Sequence, residues 1–300
     1  MLKRFLNFVE LRTKITSVFA FLMALAYLSY KKQPVNWTLT LLFFGSMLLF
    51  DLTATAINNY EGAKTAGELL PFRRSTAKAT IFLLLLVSTA LGLALAFLTD
   101  AVVLLLGGLC FLFGVLYSWG PIPLSRQPLG ELFSGVFYGL FIPFLLLYIN
   151  MPAGTFLTFA FDFQTLHLDL NLFPLFSLAL LSVTPACATA NIMLANNLCD
   201  LEKDIGAKRY TLPYYLGEKA LSVFAGLYSV SYVSVVGMVF LKILPSVCLL
   251  SLLTIVPIRN NVNRFKKKQQ KEETFVLSVQ NYVILVGTNS LLIFIGGFFN

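Results

Sequence analysis

Leu175–Ala195 is a continuous run without a charged side chain, and Asn196-Asn197-Leu198-Cys199-Asp200-Leu201-Glu202-Lys203-Asp204 follows it directly. A run of that length crosses a bilayer core of about 30 Å as a helix, so the polar stretch marks the point where a membrane helix meets water. Asn196, Asp200 and Asp204 are spaced four residues apart. On a helix that spacing puts them on one face, with Cβ atoms roughly 5–6 Å apart. Ionisable groups at such a position are costly and mark function. Paired carboxylates with no fixed cation beside them suit a hard divalent ion, and Mg2+ in turn suits a phosphate-bearing substrate.

The rest of the chain agrees with a membrane setting. It has 300 residues, of which 58% are hydrophobic and only 12% charged, with a mean hydropathy of +0.81. A soluble domain carries about a quarter charged residues, so the composition implies an all-α, polytopic integral membrane protein. Nine apolar runs are long enough to span: 15–30, 36–59, 79–98, 101–118, 132–150, 174–197, 220–240, 243–258 and 276–298. Thr99-Asp100 and Lys242–Pro245 are the tightest breaks, and merging two neighbours would leave eight spans. Met1–Lys14 reads as a basic amphipathic lead-in lying on the membrane surface. No short apolar core with a cleavage site opens the chain, so no removable signal peptide is expected. Residues 1–300 are expected to form one integral membrane domain, with no soluble domain or long linker.

Charge supplies an orientation. With nine spans and a cytoplasmic N-terminus, every basic residue except Lys31, Lys32 and Lys242 falls on the inside, which is the positive-inside bias. The net charge of +8 then needs no nucleic-acid partner, and the basic run Arg264–Lys271 reads as a topology signal. The expected localisation is a cell membrane, with the C-terminus outside and the functional face cytoplasmic. Cys110, Cys187, Cys199 and Cys248 lie scattered in or beside apolar runs without C-x-x-C spacing, and read as small apolar residues. His167 is the only histidine and reads as a surface loop residue, which excludes sites built on histidine clusters.

Three inside segments carry unusual sequence. In the first, Asp51, Thr55, Asn58 and Asn59 share a helical face, with Asp51 about 10 Å deeper than Asn58. That stripe reads as the lining of a cavity, against the simpler reading of Asp51 as one end of an interhelical hydrogen bond. In the second, Tyr117–Glu131, three prolines and two glycines stop the helix and shape a tight loop whose only basic residue is Arg126, a natural phosphate clamp or headgroup contact. The third, Asn196–Gly217, puts Lys208, Arg209, Tyr210 and Thr211 after the carboxylates. Cations held by the acids and direct contacts from the bases both neutralise a polyphosphate. An i,i+4 salt bridge from Asp204 to Lys208 is the plainer alternative.

Taken together, these motifs resemble a known family. Asn196-Asn197-x-x-Asp200-x-x-x-Asp204 with Lys208-Arg209-Tyr210-Thr211-Leu212 is similar to the second aspartate-rich motif of the UbiA superfamily of intramembrane aromatic prenyltransferases. Tyr117-Ser118 with Gly120-Pro121-Ile122-Pro123 and Arg126 resembles that superfamily's loop after its fourth helix, and the nine-span count matches its fold. Glu10–Lys14 and Asp51–Tyr60 resemble the branch of the dihydroxynaphthoate polyprenyltransferases of menaquinone biosynthesis. The first motif departs from the pattern: Gly62 stands where an aspartate is usual, and Glu61 comes one residue early, about 100° around a helix. Either the helix has ended and Glu61 swings in, or a ligand is missing and Asp51 or Asn58 takes its place.

The resemblance implies a Mg2+-dependent transfer of a polyprenyl group from polyprenyl diphosphate to an aromatic acceptor, with 1,4-dihydroxy-2-naphthoate as acceptor and a demethylmenaquinone as product. Asp200 and Asp204 on one side and Asn58, Glu61 or Asp51 on the other would hold the ions. Asn196, Lys64, Arg126, Lys208 and Arg209 would bind the diphosphate, and Tyr117 and Tyr60 would shield an allylic cation. Membrane lipid is the expected surrounding, and phenylalanines would line the way for the tail. The alternatives keep the fold with another acceptor (4-hydroxybenzoate, haem or a lipid glycerol), lose turnover through Gly62, or read the chain as a transporter. A transporter predicts mid-membrane polar groups on several helices, whereas here the acids gather at the ends of spans two and six.

Overall fold

Hydrocarbon offers a backbone N–H or C=O no partner outside its own segment, so apolar runs must fold as helices. The computed structural model describes residues 2–65, 70–120, 123–162 and 164–299, less the side chains of Arg12, Lys64 and Thr65. Helix α1 (Leu2–Phe8) and a 3-10 turn (Leu11–Lys14) precede α2 (Ile15–Tyr30), α3 (Trp37–Thr65), α4 (Arg74–Leu98) and α5 (Ala101–Ser118). The next span is α6 (Gly130–Val136), a π-turn (Phe137–Phe141) and α7 (Ile142–Tyr148) in succession. Then come α8 (Leu172–Cys199), α9 (Leu201–Gly206), α10 (Leu212–Leu216) and α11 (Lys219–Phe240). A 3-10 segment (Ser246–Thr254) leads into α12 (Ile255–Lys267), and α13 (Phe275–Tyr282) continues through a π-turn into α14 (Thr288–Gly296).

Each of the nine apolar runs thus contains helix, and among the described residues seven helical stretches are long and apolar enough to cross a membrane. The chain is a multi-pass, all-α membrane protein. The segment expected to span over 243–258 is not a regular long helix. It starts as 3-10 and becomes α12, whose Arg259, Arg264, Lys266 and Lys267 leave only an Ile258, Val262, Phe265 stripe for burial. The N-terminal lead-in is also more than a surface helix, since Phe8 and Val9 are buried in a small cluster with Leu52, Ala56 and Ala77.

Helix α8 is the central post. At about 1.5 Å per residue its 28 residues reach roughly 42 Å, so one helix joins both ends of the bundle. It packs against α6, the first π-turn, α11 and α13. The approach of the π-turn is close: a Cβ on Gly139 would collide with the backbone of Ala186. On the other flank, Asn191 Nδ2 donates to the Phe224 carbonyl of α11 (3.0 Å).

At the end of the bundle remote from Asp200, polar side chains tie the helix starts. Asp100 caps α5 by accepting from the amides of Val102 (2.9 Å) and Val103 (3.2 Å), and Tyr148 donates to its other oxygen (2.6 Å). Asn150 accepts from the amide of Asn36 (2.7 Å) and donates to Thr40 (3.0 Å). The outer connection also holds an unexpected element, an antiparallel hairpin of β1 (Leu157–Phe161) and β2 (Leu166–Leu170). His167 is therefore an exposed strand residue. Alternating Leu157, Phe159, Phe161 and Leu166, Leu168, Leu170 is a period-two signal that the sequence carried.

Gly139→Leu should prevent the π-turn from docking on α8. The expected outcome is loss of several kcal/mol, of the size of an overpacked core or larger, seen as a lower thermal midpoint in detergent or failure to recover monodisperse protein.

Candidate active site

The polar groups at the Asp200 end come from five separate parts of the chain. The carboxylates are placed first. Asp200 sits at the junction of α8 and α9, and its amide still bonds to the Asn196 carbonyl (3.1 Å) while its carbonyl accepts from the Asp204 amide (2.8 Å). The helical register therefore runs through the break and keeps Asn196, Asp200 and Asp204 on one side. Asp204 is 3% exposed. Burial pushes its carboxyl above the usual range and the nearby Asp200 adds to this, while Arg209, Lys271 and Lys203 pull it back.

Each acid meets a base, though not the expected one. Helix α9 ends at Gly206, and Lys208 takes a left-handed conformation (φ 55°) beyond it, exposed and out of line with Asp204. The i,i+4 bridge from Asp204 to Lys208 does not form, because the helix it requires has stopped. Arg209 takes the place instead, 3.3 Å from Asp204 Oδ1, and its Nη2 donates to the Ser125 carbonyl of the proline loop (3.2 Å). Arg209 thereby stitches the third polar segment to the second. Asp200 is held by Lys271, whose Nζ lies 2.6 Å from Asp200 Oδ2 and also donates to Asn196 Oδ1. That lysine ends the basic run Arg264–Lys271, which the sequence favours as a topology signal over a ligand contact.

The loop after α5 supplies the other wall. Tyr117 donates to the Met193 sulfur (3.5 Å) and lies beside Ser134, Glu131 and Arg209. Glu131, at the start of α6, is 4% exposed and accepts from Asn197 Nδ2 (2.8 Å) on one oxygen. Its second oxygen and the Nε of Arg209 are buried without a hydrogen-bond partner among the described residues. Arg126 ends the 3-10 turn Leu124–Arg126 at the rim and is half-buried.

The stripe on α3 divides between two neighbours. Asn58 is exposed and accepts from the Ser118 hydroxyl (3.2 Å), next to Tyr117, so this end of α3 and the Asp204 region share one end of the bundle. Asp51, Thr55 and Asn59 instead hold the N-terminal segment. Lys14 Nζ donates to Asp51 Oδ1 (2.7 Å) and to Thr55, Ser17 donates to Asp51 Oδ2 (2.7 Å), and Tyr138 of the π-turn donates to Oδ1 (2.6 Å). Asn59 donates to the Phe8 carbonyl (3.0 Å) and to Glu10 (3.1 Å). Asp51 therefore accepts from Lys14, Ser17 and Tyr138, the arrangement expected of an interhelical hydrogen-bond partner. Helix α3 runs on to Thr65, so the chain has not uncoiled to let Glu61 reach the position of Gly62. Tyr60 packs in the Phe8 cluster. The Lys64 side chain lies outside the described residues.

The oxygen set Asn196, Asp200 and Asp204 fits a hard cation, since the Lys271 ammonium already draws Asn196 Oδ1 and Asp200 Oδ2 to a single positive charge. Among the described residues no group of three or more His, Cys, Asp or Glu forms an all-protein cage. Mg2+ does not need one, because it keeps waters and takes substrate phosphates as ligands. Four residues of this region carried little or no sequence signal for the site: Lys14, Glu131, Tyr138 and Lys271. Only Glu131, an acid directly before span five, stands out in the sequence.

A model of the UbiA prenyltransferase family matches residues 17–283. The chain belongs to that family. It is 32% identical over 127 residues to the 1,4-dihydroxy-2-naphthoate octaprenyltransferase of Bacillus subtilis (strain 168), a stretch covering 42% of this chain and 34% of that one. A second enzyme of the same name, from Mycobacterium leprae (strain TN), is 29% identical over 155 residues, 52% of this chain and 46% of that one. The matched stretches thus span a third to about half the length of these relatives. Among solved structures, digeranylgeranylglyceryl phosphate synthase aligns with a TM-score of 0.66 at 15% identity, over 100% of this chain and 99% of that one. A UbiA homolog from Archaeoglobus fulgidus bound to DMAPP and Mg2+ aligns with a TM-score of 0.61 at 12% identity, over 97% and 99%. At those identities the structures establish the shared fold.

Lys14→Met should leave Asp51 charged and unpaired in the bundle at a cost of about 3–5 kcal/mol. The double variant Lys14→Met/Asp51→Asn should recover part of that loss. Denaturant unfolding of the purified protein in mixed micelles compares the two.

Proposed function

We propose that this UbiA-family chain transfers a polyprenyl group from polyprenyl diphosphate to 1,4-dihydroxy-2-naphthoate, acting as one membrane domain over residues 1–300. The observation that carries the reading is the joint placement of Asn196, Asp200 and Asp204, with Arg209 tying them to the Tyr117–Arg126 loop. The two naphthoate octaprenyltransferases among its relatives support the choice of acceptor. The positive-inside bias supports a cytoplasmic N-terminus, an external C-terminus and a site at the cytoplasmic surface.

In this mechanism Asn196, Asp200 and Asp204 would hold Mg2+, with Asn58 and Glu61 as candidates for the facing wall. Bound there, the ion supplies positive charge where the leaving diphosphate develops its negative charge. Arg209, Arg126, Lys208 and Lys64 orient the diphosphate from the basic side, with Arg209 held ready by its contacts to Asp204 and Ser125. The allylic C–O bond breaks with its electron pair going to the diphosphate oxygen. The π face of Tyr117, fixed by Met193, stands beside the resulting cation. A ring carbon of the acceptor then forms the new C–C bond while its carboxyl group leaves as carbon dioxide. The product is the hydroquinone form of demethylmenaquinone, which a separate oxidant takes to the quinone. Glu131, buried beside Tyr117 with one oxygen unpartnered among the described residues, is placed to accept a proton or to hold Arg209.

Asp200→Asn/Asp204→Asn should lower prenyl transfer at least about 100-fold with the fold retained, followed as prenylated naphthoquinone formed from purified protein, prenyl diphosphate, naphthoate and Mg2+. Normal product from that variant would remove the assigned ion site. Lys271→Met frees two oxygens of the same set and should tighten Mn2+ binding about two- to fivefold, the worth of one partly exposed ion pair, as measured by electron paramagnetic resonance of the free ion.

A further inference from the structure

Lys31, Lys32 and Lys242 are the basic residues that the charge bias leaves on the far side, and two of them meet there. Lys31, just past the end of α2, and Lys242, just past the end of α11, line one cavity of about 170 Å3 with Met151, Phe156 and Phe173. It lies at the end of α8 opposite Asp200, since Phe173 belongs to the first turn of that helix. Lys32 is spoken for, donating to the Gly297 carbonyl. Lys31 Nζ lies over the rings of Tyr27 (5.4 Å) and Tyr30 (5.1 Å), and burial pushes its ammonium below the usual range. Among the described residues no carboxylate is within salt-bridge distance of Lys31 or Lys242. Two lysines thus line one largely apolar hollow, and among the described residues no carboxylate pairs with either.

The surroundings of the hollow are greasy. Phe173 is 64% exposed, and Leu172 and Phe176 beside it on α8 are exposed as well, on a helix long and apolar enough to span. Phe156, in the wall, is the residue directly before β1. In the hairpin Leu157 pairs with Leu170, Phe159 with Leu168 and Phe161 with Leu166, all on one face, while Thr158–Asp169 and Ala160–His167 pairs take the other. Phe161, Leu166, Leu168 and Leu170 are each at least half exposed. An apolar sheet face runs on from the lipid-facing start of α8, as it would at the level of the headgroups with acyl chains beneath.

We infer that the cavity between Lys31 and Lys242 binds the phosphate headgroup of an anionic phospholipid, whose acyl chains lie along Phe173 and the apolar face of the hairpin. The two cations recognise the phosphate through charge-assisted hydrogen bonds. The apolar walls favour a lipid over free phosphate, because a hydrated ion gains nothing from them. The site is separate from the carboxylate end and does not depend on the reaction proposed above.

The test uses the full chain in detergent, equilibrated with equal amounts of phosphatidylglycerol and phosphatidylcholine, with native mass spectrometry reading the lipid retained. The wild-type protein should keep one phosphatidylglycerol in preference to phosphatidylcholine. Lys31→Gln/Lys242→Gln should reduce that retention at least tenfold, and Lys31→Arg/Lys242→Arg should keep it. Equal retention by the glutamine variant, no preference in the wild type, or displacement of the lipid by millimolar inorganic phosphate would each overturn the inference. Should the glutamine variant not fold, Phe173→Trp on the wild-type background keeps the question open to refutation: its fluorescence should be quenched more by brominated phosphatidylglycerol than by brominated phosphatidylcholine, and equal quenching overturns the proposal.

Discussion

Charge has no cheap place in hydrocarbon, and this bundle is arranged around that fact. Most ionisable side chains lie at helix ends, and the buried Lys14, Asp51 and Asp204 are each paired with an opposite charge. Lys14 and Asp51 lie inside the packed protein with 4% and 6% exposure, and each is surrounded by further polar contacts. Such a pair gains little over two apolar residues and loses much if one member is removed. Its effect here is positional, because it fixes the N-terminal segment against α3 and, through Tyr138, the π-turn against both. The π-turn in turn seats Gly139 on α8, the helix that carries the carboxylates. The π-turn thus touches the ion pair through Tyr138 and the helix that carries the acids through Gly139.

The acids themselves are kept by two different strategies. Asp204 is buried and paired with its neighbour in sequence, Arg209, which cannot leave without also releasing the proline loop. Asp200 is more open, and its partner Lys271 belongs to the connection before the last span. A flexible ammonium from a distant loop is easily exchanged for another cation, whereas a forked guanidinium tied at two points is not. The pair therefore offers one rigid and one exchangeable position. The departure at Gly62 fits this asymmetry. Helix α3 continues past it, and Asn58, three residues before Glu61, meets Ser118 of α5.

The two ends of the bundle also differ in kind. At the carboxylate end, loops are long, polar and cross-linked by side chains. At the other, turns are short and capped by Asp100 and Asn150, and the one long connection folds into a hairpin with an apolar face. Lys31 and Lys242 stand out there because, apart from Lys32, the charge bias assigns the other basic residues to the opposite side.

The sequence alone determined that this is a multi-helix membrane protein, roughly where its helices lie, and that Asn196, Asp200 and Asp204 share a face. Those features depend on local pattern: run length against bilayer thickness, and a period of 3.6 residues. It also carried the period-two alternation of the β1–β2 hairpin, in segments too short to cross a membrane. Partnership was another matter. Lys14 with Asp51, Lys271 with Asp200 and Glu131 with Asn197 join residues 37, 71 and 66 positions apart. The same stripe on α3 could face a cavity or a neighbouring segment with no change in its spacing. Only the packed bundle decided which, because an ion pair is chosen by distance in space and by exclusion of water, and neither is written in the order of residues along one helix.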